Sequence, residues 1–172
     1  MPMPTDPKAA YAELTKELRD ISVLGSIGSV LSWDEQTFMP PGAADHRADQ
    51  SALVSRLSHE RFTSPRVGEL IAVVEASDLV KDPESDAAVN VREARRDYDR
   101  STKLPTSLVE EMAKTEVLSQ HAWSEARKND DYPAFRPWLE KVLKLKRQEC
   151  ECVGYAADPY DALLDQYEPG ET

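Results

Sequence analysis

Four of the twelve prolines stand directly after a helix-capping residue, and this placement limits the fold more than any other feature. The pairs are Asp6-Pro7, Ser64-Pro65, Asp82-Pro83 and Asp158-Pro159. Proline suits the first helical position because the N–H it lacks has no intrahelical partner there, and Asp or Ser before it can accept from the next free donors. Each pair therefore predicts a helix start. Ser107 with Glu110 has capping-box spacing and predicts another start after Pro105. Gly154 is placed to end a long helix.

Apolar spacing agrees. Tyr11, Leu14, Leu18 and Ile21 form a helical stripe that Leu24, Ile27 and Leu31 continue. Gln50, Val54 and Leu57 share a face, as do Val67, Leu70, Ile71 and Val74. Ala87, Val91, Ala94 and Tyr98 line another helix. Phe135, Trp138, Val142, Leu145 and Cys152 line the last long one, interrupted by Glu149. From Ser107 to Lys128 the apolar residues lie all round the axis, which suits a helix sandwiched between neighbours or at the centre of a small bundle. No alternating strand pattern appears. The expectation is an all-α protein, a multi-helix bundle of about eight helices forming a single domain over residues 1–172.

Charge narrows the function. The 172 residues carry 32 acidic and 21 basic side chains, a net charge of -11. Such a surface repels phosphate backbones and anionic lipid heads, so no nucleic-acid or membrane partner is expected. The first residues lack the basic and apolar regions of a signal peptide, so a cytoplasmic location is expected. Cys150 and Cys152 point to different sides of a helix and read as two reduced thiols.

Few residues suggest chemistry. His59-Glu60-Arg61-Phe62-Thr63 begins like the zinc motif H-E-x-x-H, but Thr63 stands where the second histidine is needed. His46 and His121 have no histidine at helical spacing. No metal ligand and no catalytic residue is assigned. Nucleophile-elbow and phosphate-loop patterns are absent, and Gly25-Ser26-Ile27-Gly28 reads as close helix packing or a bend. Arg92, Arg95, Arg96 and Arg100 alternate with Glu93, Asp97 and Asp99 and read as a surface ion-pair helix rather than an anion site.

One stretch is unusual: Ser32-Trp33-Asp34-Glu35-Gln36-Thr37-Phe38-Met39-Pro40-Pro41-Gly42-Ala43. Met39 precedes proline, so the helix must end there. Asp34 follows the Leu24–Ile27–Leu31 stripe near that end, where burial and the helix dipole both disfavour a carboxylate. Arg47 shares a face with Gln50 on the next helix. An Asp34–Arg47 ion pair fixing the turn is expected.

Trp33-Asp34, Thr37, Met39-Pro40-Pro41-Gly42-Ala43, Arg47-Ala48 and Gln50 together resemble the carboxypeptidase Taq metallopeptidases. So do Lys103-Leu104-Pro105, Trp123 with Ala126-Arg127, Phe135 with Pro137, Leu139 and Glu140, and Pro159-Tyr160-Asp161-Ala162-Leu163-Leu164-Asp165 with Tyr167-Glu168-Pro169-Gly170. The resemblance runs nearly end to end. It implies the N-terminal portion of a larger helical enzyme, a homodimer that removes C-terminal residues from peptides. It further implies zinc or cobalt in the full-length family, held by an H-E-x-x-H helix and a later glutamate. Those residues lie downstream of the part this chain resembles, so no cofactor is expected within it. By the same resemblance, Trp33, Asp34, Thr37, Met39, Pro40, Pro41, Arg47 and Gln50 are structural, part of a groove wall.

Two readings follow. In one, the chain is the N-terminal part of a metal-dependent carboxypeptidase, inactive alone, with peptide as substrate once the missing part is supplied. In the other it is a free-standing, non-catalytic helical module that binds peptides or pairs with a full-length relative. Either way a homo-oligomer is expected.

Overall fold

A computed structural model describes residues 6–171. Among them are seven α-helices and no strand: α1 (Pro7–Thr37), α2 (Ala44–Phe62), α3 (Pro65–Glu75), α4 (Asp86–Ser101), α5 (Thr106–Lys128), α6 (Tyr132–Val153) and α7 (Pro159–Leu164). Short 3-10 turns at Pro41–Ala43 and Asp78–Val80 bring the helical segments among the described residues to nine, against about eight expected.

Three proline pairs start helices as predicted. The Asp6 carboxylate accepts from the Lys8 and Ala9 N–H groups. Pro65 opens α3 after Ser64, although the Ser64 hydroxyl makes no cap bond. Asp158 and Asp161 form a reciprocal capping box on α7. Asp82-Pro83 does not start a helix. It makes a turn, and Ser85 caps α4 by accepting from the Ala88 N–H at 3.3 Å. The Ser107 capping box is also absent. Helix α5 begins two residues earlier, at Thr106 after Pro105, with no side-chain cap. Gly154 ends α6 at φ +86°, where only glycine sits without strain, and its N–H donates to the Cys150 carbonyl at 2.8 Å.

The described chain groups into two compact units, with α1 and α2 contributing to both. The first holds the residues up to Ile27 with Leu57–Thr102. Its core is the α3 face Val67, Leu70, Ile71 and Val74, joined by Val91 and Ala94 of α4 and Ala10 and Leu14 of α1. Arg66 grips the Glu13 carboxylate with two bonds of 2.7 Å, and Arg61 reaches Glu17 at 2.9 Å and Asp20 at 2.6 Å. Gly68 lies under the Tyr98 ring, where an added Cβ would come within 2.5 Å of the phenolic oxygen. On α4, Arg95 pairs with Glu75 and Asp99, in line with the surface ion-pair helix expected.

The second unit holds Gly28–Arg56 and the residues from Lys103 onward, with α5 packed on α6 and α6 on α7. Here α2 buries Ala44, Ala48 and Ala52, not the Gln50–Val54–Leu57 face. Leu57 is exposed, as is Ile27 of α1, so neither continues a core stripe. Alanine lets helix backbones approach closely, and a search for large apolar residues passes over it. On α6, Glu149 is not an interruption. It is buried beside Cys150 and takes a 2.8 Å bond from Lys146. Cys150 and Cys152 form no disulfide.

Candidate functional site

The unusual stretch closes α1 and turns the chain into α2, all within the second unit. The Phe38 and Met39 N–H groups both donate to the Asp34 carbonyl at 2.9 Å, which ends the helix before Pro40. Pro40 is extended (φ −62°, ψ 144°), Pro41 opens the 3-10 turn, and the Ala43 N–H closes it on the Pro40 carbonyl.

Arg47 is the centre of the turn. Its guanidinium donates to the Leu31 carbonyl, to the Asp34 carboxylate and, at 3.0 Å, to the Gln50 amide oxygen. The Arg47 side chain is 11% exposed and that of Asp34 36%. The expected ion pair is present, and the bond to the Leu31 carbonyl ties Arg47 to the last turns of α1 as well. A planar fork can serve several acceptors at once, which an ammonium cannot do in the same geometry.

Of the eight motif residues, Asp34, Arg47 and Gln50 come together. Thr37 donates to the Trp33 carbonyl at 2.8 Å, and Trp33 meets Phe38 edge to face at 5.6 Å. Trp33, Thr37, Pro40 and Pro41 are exposed, and Met39 is half-buried.

Beside the turn, α1, α2 and α5 enclose a polar cavity of about 270 Å³. Glu35 and Glu116 face it with Ser51, Ser55 and Gln120. Burial raises the Glu35 carboxyl above its usual range, and the nearby Glu116 charge adds to the rise, while Arg47 and His121 oppose it. The motif search missed this group because its members come from three helices and share no local spacing. A larger groove of about 770 Å³ runs between α5 and α6, with Leu108, Leu143 and Cys152 among its lining and charges of both signs around it.

Among the described residues no group of three or more His, Cys, Asp or Glu side chains is placed to hold a metal ion. The donors present therefore do not fit a hydrolytic metal centre, and no hydrolytic step is assigned to them. No described helix is long and apolar enough to cross a membrane.

The family model of the carboxypeptidase Taq (M32) metallopeptidases matches residues 13–172. Thermostable carboxypeptidase 1 of Thermus thermophilus is 43% identical over 174 residues, which is 95% of this chain and 34% of the relative. Carboxypeptidase 1 of Bacillus subtilis is 31% identical over 90% of this chain and 30% of its own length. The crystal structure of BsuCP matches 95% of this chain and 33% of its own, with a TM-score of 0.89 at 29% identity. The M32 carboxypeptidase of Deinococcus radiodurans R1 matches 95% and 32%, with a TM-score of 0.74 at 34% identity. The chain thus spans about a third of the curated relatives it matches. It belongs to the carboxypeptidase Taq (M32) metallopeptidase family, of which it represents the N-terminal portion.

Proposed function

We propose that these residues are the N-terminal helical piece of a metal-dependent carboxypeptidase that releases C-terminal residues from peptides. The observation that carries this is the family match over residues 13–172. On this reading the 172 residues supply scaffold, and the turn built on Asp34, Arg47 and Gln50 holds part of a groove wall. The metal (zinc or cobalt), its ligands and the general base come from the remaining portion of the fold. A divalent metal bound in that portion would supply Lewis-acid chemistry for peptide hydrolysis. The chain alone is then inactive, and peptide is its substrate only in company with that portion. A cytoplasmic location and a homo-oligomeric state belong to the same proposal.

The test is hydrolysis of a blocked dipeptide by the purified chain with zinc or cobalt. It is run with and without the separately expressed C-terminal portion of the Thermus thermophilus relative. Release of the terminal residue only in the mixture supports the proposal. Release by the chain alone overturns the assignment of scaffold. No release in either case favours the non-catalytic module.

A further inference from the structure

Between Ile21 and Trp33 no residue is charged, in a chain whose residues are 31% charged. A helix that faces water on one side carries polar or charged residues there, and one apolar all round is covered on all sides. Within the second unit, α1 does not meet that rule. Its Gly28, Ser32, Glu35 and Gln36 turn toward the polar cavity with α2 and α5. Val30 and Trp33 face solvent, 64% and 59% exposed, and Phe38 just past the helix is 74% exposed. Val30 and Trp33 are one turn apart, and the Trp33 and Phe38 rings touch edge to face, so the three make one continuous apolar patch. Such a patch marks a contact surface.

The share of the family fold that this chain spans says what covers it. The relatives continue for roughly two thirds of their length beyond the matched part, since 34% and 30% of them are covered. A permanent contact within one fold is apolar at its centre and depleted in charge, which suits this run of sequence. We infer that Val30, Trp33 and Phe38 form the seat for the C-terminal two thirds of the M32 fold. The inference rests on the family reading above and adds the surface through which the two portions meet.

The test is binding of the full chain to the separately expressed C-terminal two thirds of the Thermus thermophilus and Bacillus subtilis carboxypeptidases, by titration calorimetry. The wild-type chain is compared with the double variant Val30→Glu/Trp33→Glu and with Leu143→Glu, a similar change at an exposed residue of α6. Circular dichroism melts verify that each variant is folded, and Trp33→Phe, which keeps an aromatic ring, is expected to retain binding. The expected result is a complex weakened at least about tenfold by the double substitution and unchanged by Leu143→Glu. Equal binding by the double variant, or no complex with either probe, overturns the inference. The two proposals fail separately. A complex that the double variant loses, yet that hydrolyses nothing, removes the activity reading and keeps the seat. Hydrolysis restored equally by the double variant removes the seat and keeps the activity.

Discussion

Arg47 holds a carbonyl, a carboxylate and an amide oxygen, so its loss removes three hydrogen bonds at once and leaves the Asp34 carboxylate without its cation. Each unsatisfied, partly buried group costs its desolvation. Arg47→Met is expected to destabilise the protein by about 1–3 kcal/mol in urea unfolding. Arg47→Lys should recover only part of this, because one ammonium cannot serve three acceptors in a plane. Full recovery by lysine would mean that charge alone fixes the turn. Glu35 behaves differently. Its carboxyl is raised by burial, so the folded state binds its proton more tightly than the unfolded state does. Stability contributed by this group is therefore present at low pH and falls as pH rises through the unfolded value near 4.5 toward the higher folded one. Glu35→Gln should raise the melting temperature at pH 7, and the gain should vanish at pH 4. An equal gain at both values would assign the effect to packing rather than ionisation.

At the scale of elements, the start of α4 separates two neighbouring signals. Ser85 accepts the Ala88 N–H, whereas Pro83 lies in the turn before it. Ser85→Ala should cost about 1 kcal/mol in thermal unfolding, and Pro83→Ala clearly less. The comparison also shows what a sequence reveals. Helix α3 was legible because one face carries four large apolar residues and all four are buried. The buried face of α2 was not, because it packs through Ala44, Ala48 and Ala52, whose small side chains stand out less than the larger Val54 and Leu57 on another face. The Asp34–Arg47 pair was legible from helix register and the dislike of a carboxylate for a helix C-terminus. Glu35, Glu116 and Gln120 were not, since only tertiary folding brings three helices around one cavity.

For the whole molecule, two opposed features set behaviour in solution: a net charge of -11 and apolar side chains left facing water. Like charges repel over a distance that salt shortens to about 8 Å at physiological ionic strength, whereas apolar contact is not screened. The isolated chain should therefore associate into dimers or larger assemblies, more strongly at 150 mM salt than at low salt. Sedimentation velocity over a range of concentrations measures this. A monodisperse, sharply melting monomer under all conditions would count against it. Val30→Glu/Trp33→Glu adds charge to the patch and should shift the distribution toward monomer.

The contact between Gly68 and Tyr98 has a historical meaning as well as a steric one. A methyl group at position 68 would meet the Tyr98 ring at 2.5–3.0 Å. That ring is itself held edge to face by Phe62 at 6.1 Å, so it has little room to yield. Gly68→Ala should cost about 1–3 kcal/mol, and Tyr98→Leu in the same chain should return part of it. The two positions cannot drift independently. A lineage that keeps this packing can lose the ring first and the glycine second, while the reverse order passes through a strained intermediate. Among descendants of a common ancestor, side chains larger than glycine at 68 should be found only where 98 has already become smaller.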